Sequence, residues 1–127
     1  MDDVENMGPA YIDNLGMAEL VNDTSLQTDS KSGALNFYSL APGRTSRHMD
    51  PFLITIEANE EIGVDLAGHE GEEWMYCLEG EFEIEYGQEI YVMKPGDSIY
   101  YDCIVPHQVR AHNGQSAKFL ACVYTPI

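Results

Sequence analysis

From residue 33 onward, apolar runs of five to eight residues alternate with turn signals built from Gly, Pro and Asn, and no stretch keeps a helical period for ten residues. Short runs at that spacing are the pattern of an all-β sandwich or barrel. The predicted strands are 34–40, 52–57, 74–78, 81–86, 89–93, 98–101, 108–112 and 117–124. The run 81–86 alternates cleanly, with Glu81, Glu83 and Glu85 on one face and Phe82, Ile84 and Tyr86 on the other. Successive strand side chains point to opposite faces, so this run has a wet side and a core side. Lys94-Pro95-Gly96-Asp97 is a strong turn, because proline sets φ and glycine accepts a positive φ. Asn113-Gly114 predicts a hairpin between the last two strands.

The first 30 residues read differently. They hold seven acidic and no basic residues, and only 11–21 carries apolar positions at a loose helical spacing. Gly16 and the short length weaken that helix. The organisation expected is an acidic N-terminal arm over 1–30, with one helical turn or an edge strand, and a barrel domain over 31–127. A length of 127 residues suits one domain, and 13 aromatics exclude disorder throughout. The acidic start and the lack of an apolar segment argue against a signal peptide, and no apolar run approaches a membrane span. The expected location is cytoplasmic.

Charge narrows the partners. Twenty-two acidic residues against six Lys and Arg leave a net charge of −16, and no Lys or Arg occurs between His48 and Met93. Phosphate backbones and anionic membranes both need a basic face, so neither nucleic acid nor membrane is an expected partner. The acidic surface reads first as solubility and second as attraction for cations. Cys77, Cys103 and Cys122 form no CxxC pair, and are expected reduced and partly buried. Cys103 in particular reads as ordinary burial near the mouth of the barrel, and His112, before the Asn113-Gly114 turn, as exposed.

The run 74–78 has large side chains at both parities: Met75 and Cys77 on one face, Trp74, Tyr76 and Leu78 on the other. A strand with two apolar faces needs a cover on its outer side. A homodimer is the expected cover, and the N-terminal arm is the alternative.

The segment 67–80, AGHEGEEWMYCLEG, carries the chemistry. His69 and Glu73 share one strand parity, and His107 opens a strand 34 residues after Glu73. Two imidazoles and a carboxylate converging inside a barrel make a site for a divalent transition metal with positions left open. The alternative is a metal-free cluster in which the same three side chains bond one another.

Residues 62–125 resemble the conserved barrel of the cupin superfamily. In that family's first motif His69 matches the second histidine, Glu73 the glutamate and Gly80 the closing glycine, while Ala67 and Glu61 replace the first histidine and first glycine. In the second motif Gly96 and His107 match, and Asp102, Ile104 and Ala111 depart. The segments 38–43 and 47–52 are similar to the C-terminal sensor domain of bacterial helix-turn-helix regulators that end in a cupin. The resemblance implies a double-stranded β-helix, or jelly-roll barrel, with a short arm. It implies a small-molecule-binding sensor or regulatory module with His69, Glu73 and His107 as metal ligands for iron, manganese, nickel or zinc, and with Met75, Cys77, Tyr86 and Arg47 around the ligand. A metal-dependent enzyme, a small dioxygenase or isomerase, is the second reading, and a structural dimer with an empty pocket the third. Arg44, Arg47 and His48 together present groups suited to a carboxylate or phosphate, or to pairing with surface acids.

Overall fold

The computed structural model describes residues 19–21, 35–57 and 68–126. The rest of the arm, the expected boundary at 30/31, Glu61 and Ala67 lie outside the described residues. Nine strands are described: β1 (Glu19–Val21), β2 (Leu35–Ser39), β3 (Met49–Ile56), β4 (Glu72–Glu79), β5 (Phe82–Tyr86), β6 (Glu89–Met93), β7 (Ser98–Asp102), β8 (His107–Ala111) and β9 (Ala117–Tyr124). Among the described residues there is no helix, and so none long and apolar enough to cross a membrane.

The strands form two antiparallel sheets. The larger runs β1-β2-β3-β9-β4-β7 and the smaller β6-β5-β8. The arm therefore contributes an edge strand, Glu19–Val21, paired with Phe37–Ser39. Alternation sets the inner faces. Phe52, Ile54 and Ile56 of β3, Met75 and Cys77 of β4, and Ala117, Phe119, Ala121 and Val123 of β9 are all buried. From the smaller sheet Phe82, Ile84 and Met93 meet them. Phe82 stacks on Phe119 with ring centroids 4.2 Å apart, a contact that joins the two sheets.

Three expectations need correction. The Asn113-Gly114 turn is tight, with both residues at positive φ and Gln115 N donating to His112 O at 3.1 Å. It does not make a hairpin, because β9 is already flanked by β3 and β4 while β8 pairs with β5. The turn instead carries the chain from one sheet to the other. Strand β3 begins three residues earlier than predicted and contains Pro51. Its carbonyl accepts from Leu40 N, just past the end of β2, and the missing N–H lies on that same side, so the ladder with β9 loses no bond. His112 is half-buried rather than exposed, since its ring bonds Glu83 at 3.0 Å.

On the outer face of the smaller sheet Arg110 ties Glu83 at 2.9 Å to Glu85 at 2.7 Å. Burial opposes ionisation of Glu83, but hydrogen bonds from His112 and Arg110 outweigh it and hold the carboxyl below its ordinary range. On the larger sheet the outward row of Trp74 and Tyr100 stays open in the single chain, with Tyr100 64% exposed.

Candidate metal centre

Two loops and two strands bring the polar residues together. His69 lies in the loop before β4, Glu73 on the inner face of β4, Cys103 in the loop after β7, and His107 at the start of β8. The two loops are bonded reciprocally: His69 N donates to Cys103 O and Cys103 N to Gly71 O, both at 2.9 Å. Glycine is required on each side of His69. A Cβ at Gly68 would stand 2.1 Å from Ile104 O, and one at Gly71 2.1 Å from Tyr124 O, with φ at +127° there. The Gly-His-Glu-Gly sequence is therefore what lets the His69 loop lie against its neighbours.

One donor atom from each of His69, Glu73, Cys103 and His107 lies within 4.8 Å of the other three. Cys103 is fully buried and His69 is the most open of the four. Glu73 Oε1 is the hub. It accepts from the Tyr101 hydroxyl at 3.1 Å and from the Cys103 thiol at 3.4 Å. His107 Nε2 stands 3.7 Å from the same oxygen, too far for a hydrogen bond.

Both imidazoles are held from behind. His107 Nδ1 is 2.8 Å from Val105 O, and His69 Nδ1 is 3.1 Å from Glu70 O. A carbonyl only accepts, so Nδ1 carries the proton in each neutral ring and Nε2 keeps its lone pair. This is the arrangement by which backbone carbonyls orient metal-ligating histidines. The fit extends to spacing. Ligand bonds of about 2.0–2.2 Å put neighbouring donors about 3.3–3.6 Å apart around a tetrahedral ion. The 3.7 Å gap between Nε2 and Oε1 matches that separation.

The two donors to Glu73 titrate according to their own burial and the neighbouring charge. Burial first, and the Glu73 charge second, push the Cys103 thiol up to about 12. The same two causes push the Tyr101 hydroxyl well above the ordinary tyrosine range. Both groups stay protonated donors to the carboxylate near neutral pH.

Other predicted residues are spread more widely. The Tyr86 ring lies 5.2 Å from Tyr101, whose ring is 5.0 Å from His107, so Tyr86 borders the cluster at one remove. Met75 and Cys77 are sealed in the core one and two inward positions further along β4. Arg47 is elsewhere: it pairs with Asp50 and, with Arg44 and His48, lines a cavity of about 360 Å³ that Pro51 and Cys122 also border. Cys122 pairs with Trp74 on the outward parity, so that cavity is across the sheet from Glu73. Sequence reasoning missed the contact of Cys103 with Glu73. The only signal was its position four residues before His107, in a loop with no period to fix its direction.

A family profile described as Cupin domain matches residues 52–124. No curated protein matches the chain. Among solved structures, hydroxypropylphosphonic acid epoxidase from S. wedmorenis is 20% identical, with a TM-score of 0.69, over 91% of this chain and 59% of that one. An Fe(II)-HppE structure gives 0.70 at 20% identity, over 91% of this chain and 60% of that one. The chain thus spans about three fifths of the length of these relatives. The Cupin_2 domain of an XRE family transcriptional regulator from Enterobacter cloacae is 20% identical, with a TM-score of 0.62, over 74% of this chain and 99% of that one. An HTH_3 family transcriptional regulator from Vibrio cholerae scores 0.60 at 18% identity, over 84% of this chain and 61% of that one.

Proposed function

The chain belongs to the cupin domain family, and from that premise we propose that it is a small-molecule-binding sensor module whose barrel holds a divalent transition metal on His69, Glu73 and His107. The observation that carries the reading is the His107 ring: Val105 O holds its Nδ1, and its Nε2 faces a Glu73 oxygen 3.7 Å away that it does not hydrogen-bond, with a ring nitrogen of His69 within 4.8 Å of both. In a cluster held by its own hydrogen bonds at least one imidazole would donate to Glu73. Its donors are instead Tyr101 and Cys103. The likeness in fold to the cupin domains of XRE and HTH_3 regulators supports a sensing role. His69, Glu73 and His107 would hold the ion, which would supply a Lewis-acid anchor for an oxygen atom of the bound molecule. Glu73 gives the site its one negative charge, Tyr86 and Tyr101 give it an aromatic wall, and His69 stands at the open side.

The second reading, a metal-dependent enzyme of the dioxygenase or isomerase kind, is favoured by the donor set itself. Two imidazoles and one carboxylate leave coordination positions for reactants. In either case two copies pair through the outward Trp74 and Tyr100 row, which is the face a second chain would cover.

Elemental analysis of protein purified without tag or chelator tests the premise. Near-stoichiometric metal that disappears in His69→Ala is expected. Background metal in the wild type, even after incubation with iron, manganese, nickel and zinc, would overturn the metal-centred reading. A thermal-shift screen of carboxylic acids, amino acids and sugars then separates the roles. Stabilisation without turnover is expected of a sensor, because a ligand that prefers the folded state must raise its stability.

A further inference from the structure

The metal reading above uses three donors, yet four converge. We infer that Cys103 is the fourth protein ligand and that the centre is a mixed site of two nitrogens, one oxygen and one sulfur that prefers zinc over harder ions such as manganese. The inference rests on the three-residue reading and goes beyond it.

The contrast between two buried cysteines carries the argument. Cys77 and Cys103 are both fully buried. Cys77 is an ordinary core thiol that donates to backbone, with Gly80 O at 3.2 Å. Cys103 donates to no carbonyl. Its sulfur is 3.4 Å from Glu73 Oε1 and within 4.8 Å of every other donor in the cluster. Its direction is also fixed, because Cys103 N and Cys103 O are both used in the bonds that stitch its loop to the His69 loop. The same two bonds therefore place one nitrogen donor and the sulfur donor together. The alanine at position 67 offers no donor of its own, and among the described His, Cys, Asp and Glu residues the Cys103 sulfur is the further ligand atom in the cluster.

Closure needs small movements. Four donors at zinc distances, about 2.0–2.3 Å from the ion, stand about 3.3–3.7 Å apart, so the longest gap of 4.8 Å contracts by about 1 Å. As the sulfur–metal bond forms, the S–H bond breaks and the proton leaves to solvent, and Glu73 Oε1 exchanges the thiol hydrogen bond for the ion. Thiolate selects borderline and soft ions, while imidazole and carboxylate alone accept several divalent ions. A tetrahedral ion with four protein donors is closed, so a ligand enters by displacing one of them. His69, the most open of the four, is the one best placed to be displaced.

Cobalt titration of the reduced full chain tests this. The expected result is visible bands of a tetrahedral ion together with a near-ultraviolet sulfur-to-cobalt charge-transfer band. Cys103→Ser should lose the near-ultraviolet band, while Cys77→Ser and Cys122→Ser keep it. Cys103→Ser should also weaken zinc by more than about tenfold and leave manganese within about threefold. X-ray absorption at the zinc edge of the wild type needs no variant, and should show one sulfur at about 2.3 Å. Cobalt bound without the charge-transfer band, or a zinc shell of nitrogen and oxygen only, would overturn the role of Cys103 and leave the three-residue site standing. No cobalt bound to the wild type would overturn both.

Discussion

Tyr101→Phe is the most informative single change, because it removes one oxygen atom and little else. Tyr101 is 5% exposed, and its ring packs between Tyr86 and His107 at 5.2 and 5.0 Å. Phenylalanine keeps those contacts. What goes is the hydroxyl bond to Glu73 Oε1 at 3.1 Å. A hydrogen bond to a charged group contributes about 1.5–3 kcal/mol. Strong O–H···O⁻ bonds are about 2.5–2.7 Å long, so the longer bond here belongs at the lower end of that range, about 1.5 kcal/mol. That converts to about tenfold in metal affinity, the lower edge of what partners of metal ligands usually contribute. The assay is competition for zinc with a chromophoric chelator, wild type beside variant. Burial and the Glu73 charge raise the Tyr101 pKa, so the hydroxyl keeps its proton well past the ordinary tyrosine value. The tenfold gap should therefore stay constant as the pH is raised from about 6 to about 9. An affinity within about twofold of wild type would refute the reasoning, since Glu73 would then be positioned without its hydroxyl partner.

Two further predictions concern the fold. Phe119→Ala deletes one half of the stacked pair that joins the sheets and should cost about 4 kcal/mol, measured by urea unfolding; a loss below about 2 kcal/mol would mean that the sheets collapse around the gap. Glu83 has a depressed folded-state pKa, so its stabilisation is present above the unfolded value of 4.5 and is lost as pH falls through the lower folded value. Glu83→Gln should be less stable than wild type at about pH 7 and converge with it as the pH falls below the lowered folded-state value. A constant difference across that range would show that Glu83 does not act through its charge.

How much of this was legible in the chain depended on periodicity. The alternation of Phe82 and Ile84 with Glu83 and Glu85 assigned faces to β5, and the structure keeps them: the first pair is core, the second meets Arg110. Glu73 keeps the inner parity of Met75 and Cys77 on β4, whereas His69 lies in the loop before β4, where strand parity does not operate, and still reaches the same centre. Where no period operates, side-chain direction is set by contacts far apart in sequence. Cys103 and His69 are 34 residues apart, and two backbone bonds between their loops decide where both side chains point. Arg47 lies in the loop before β3, where it pairs with Asp50 and lines a cavity across the sheet from Glu73.

The all-β class, the core face of each clearly alternating strand, and the Pro95-Gly96 and Asn113-Gly114 turns are written in local pattern, because they depend on neighbours within a few residues. Tertiary structure alone decided that β8 and β9 belong to different sheets, that His112 closes on Glu83, and that a cysteine joins two histidines around one carboxylate. Those outcomes follow from which strand edges and polar groups remain unpaired once the sheets assemble, and no local pattern carries that information.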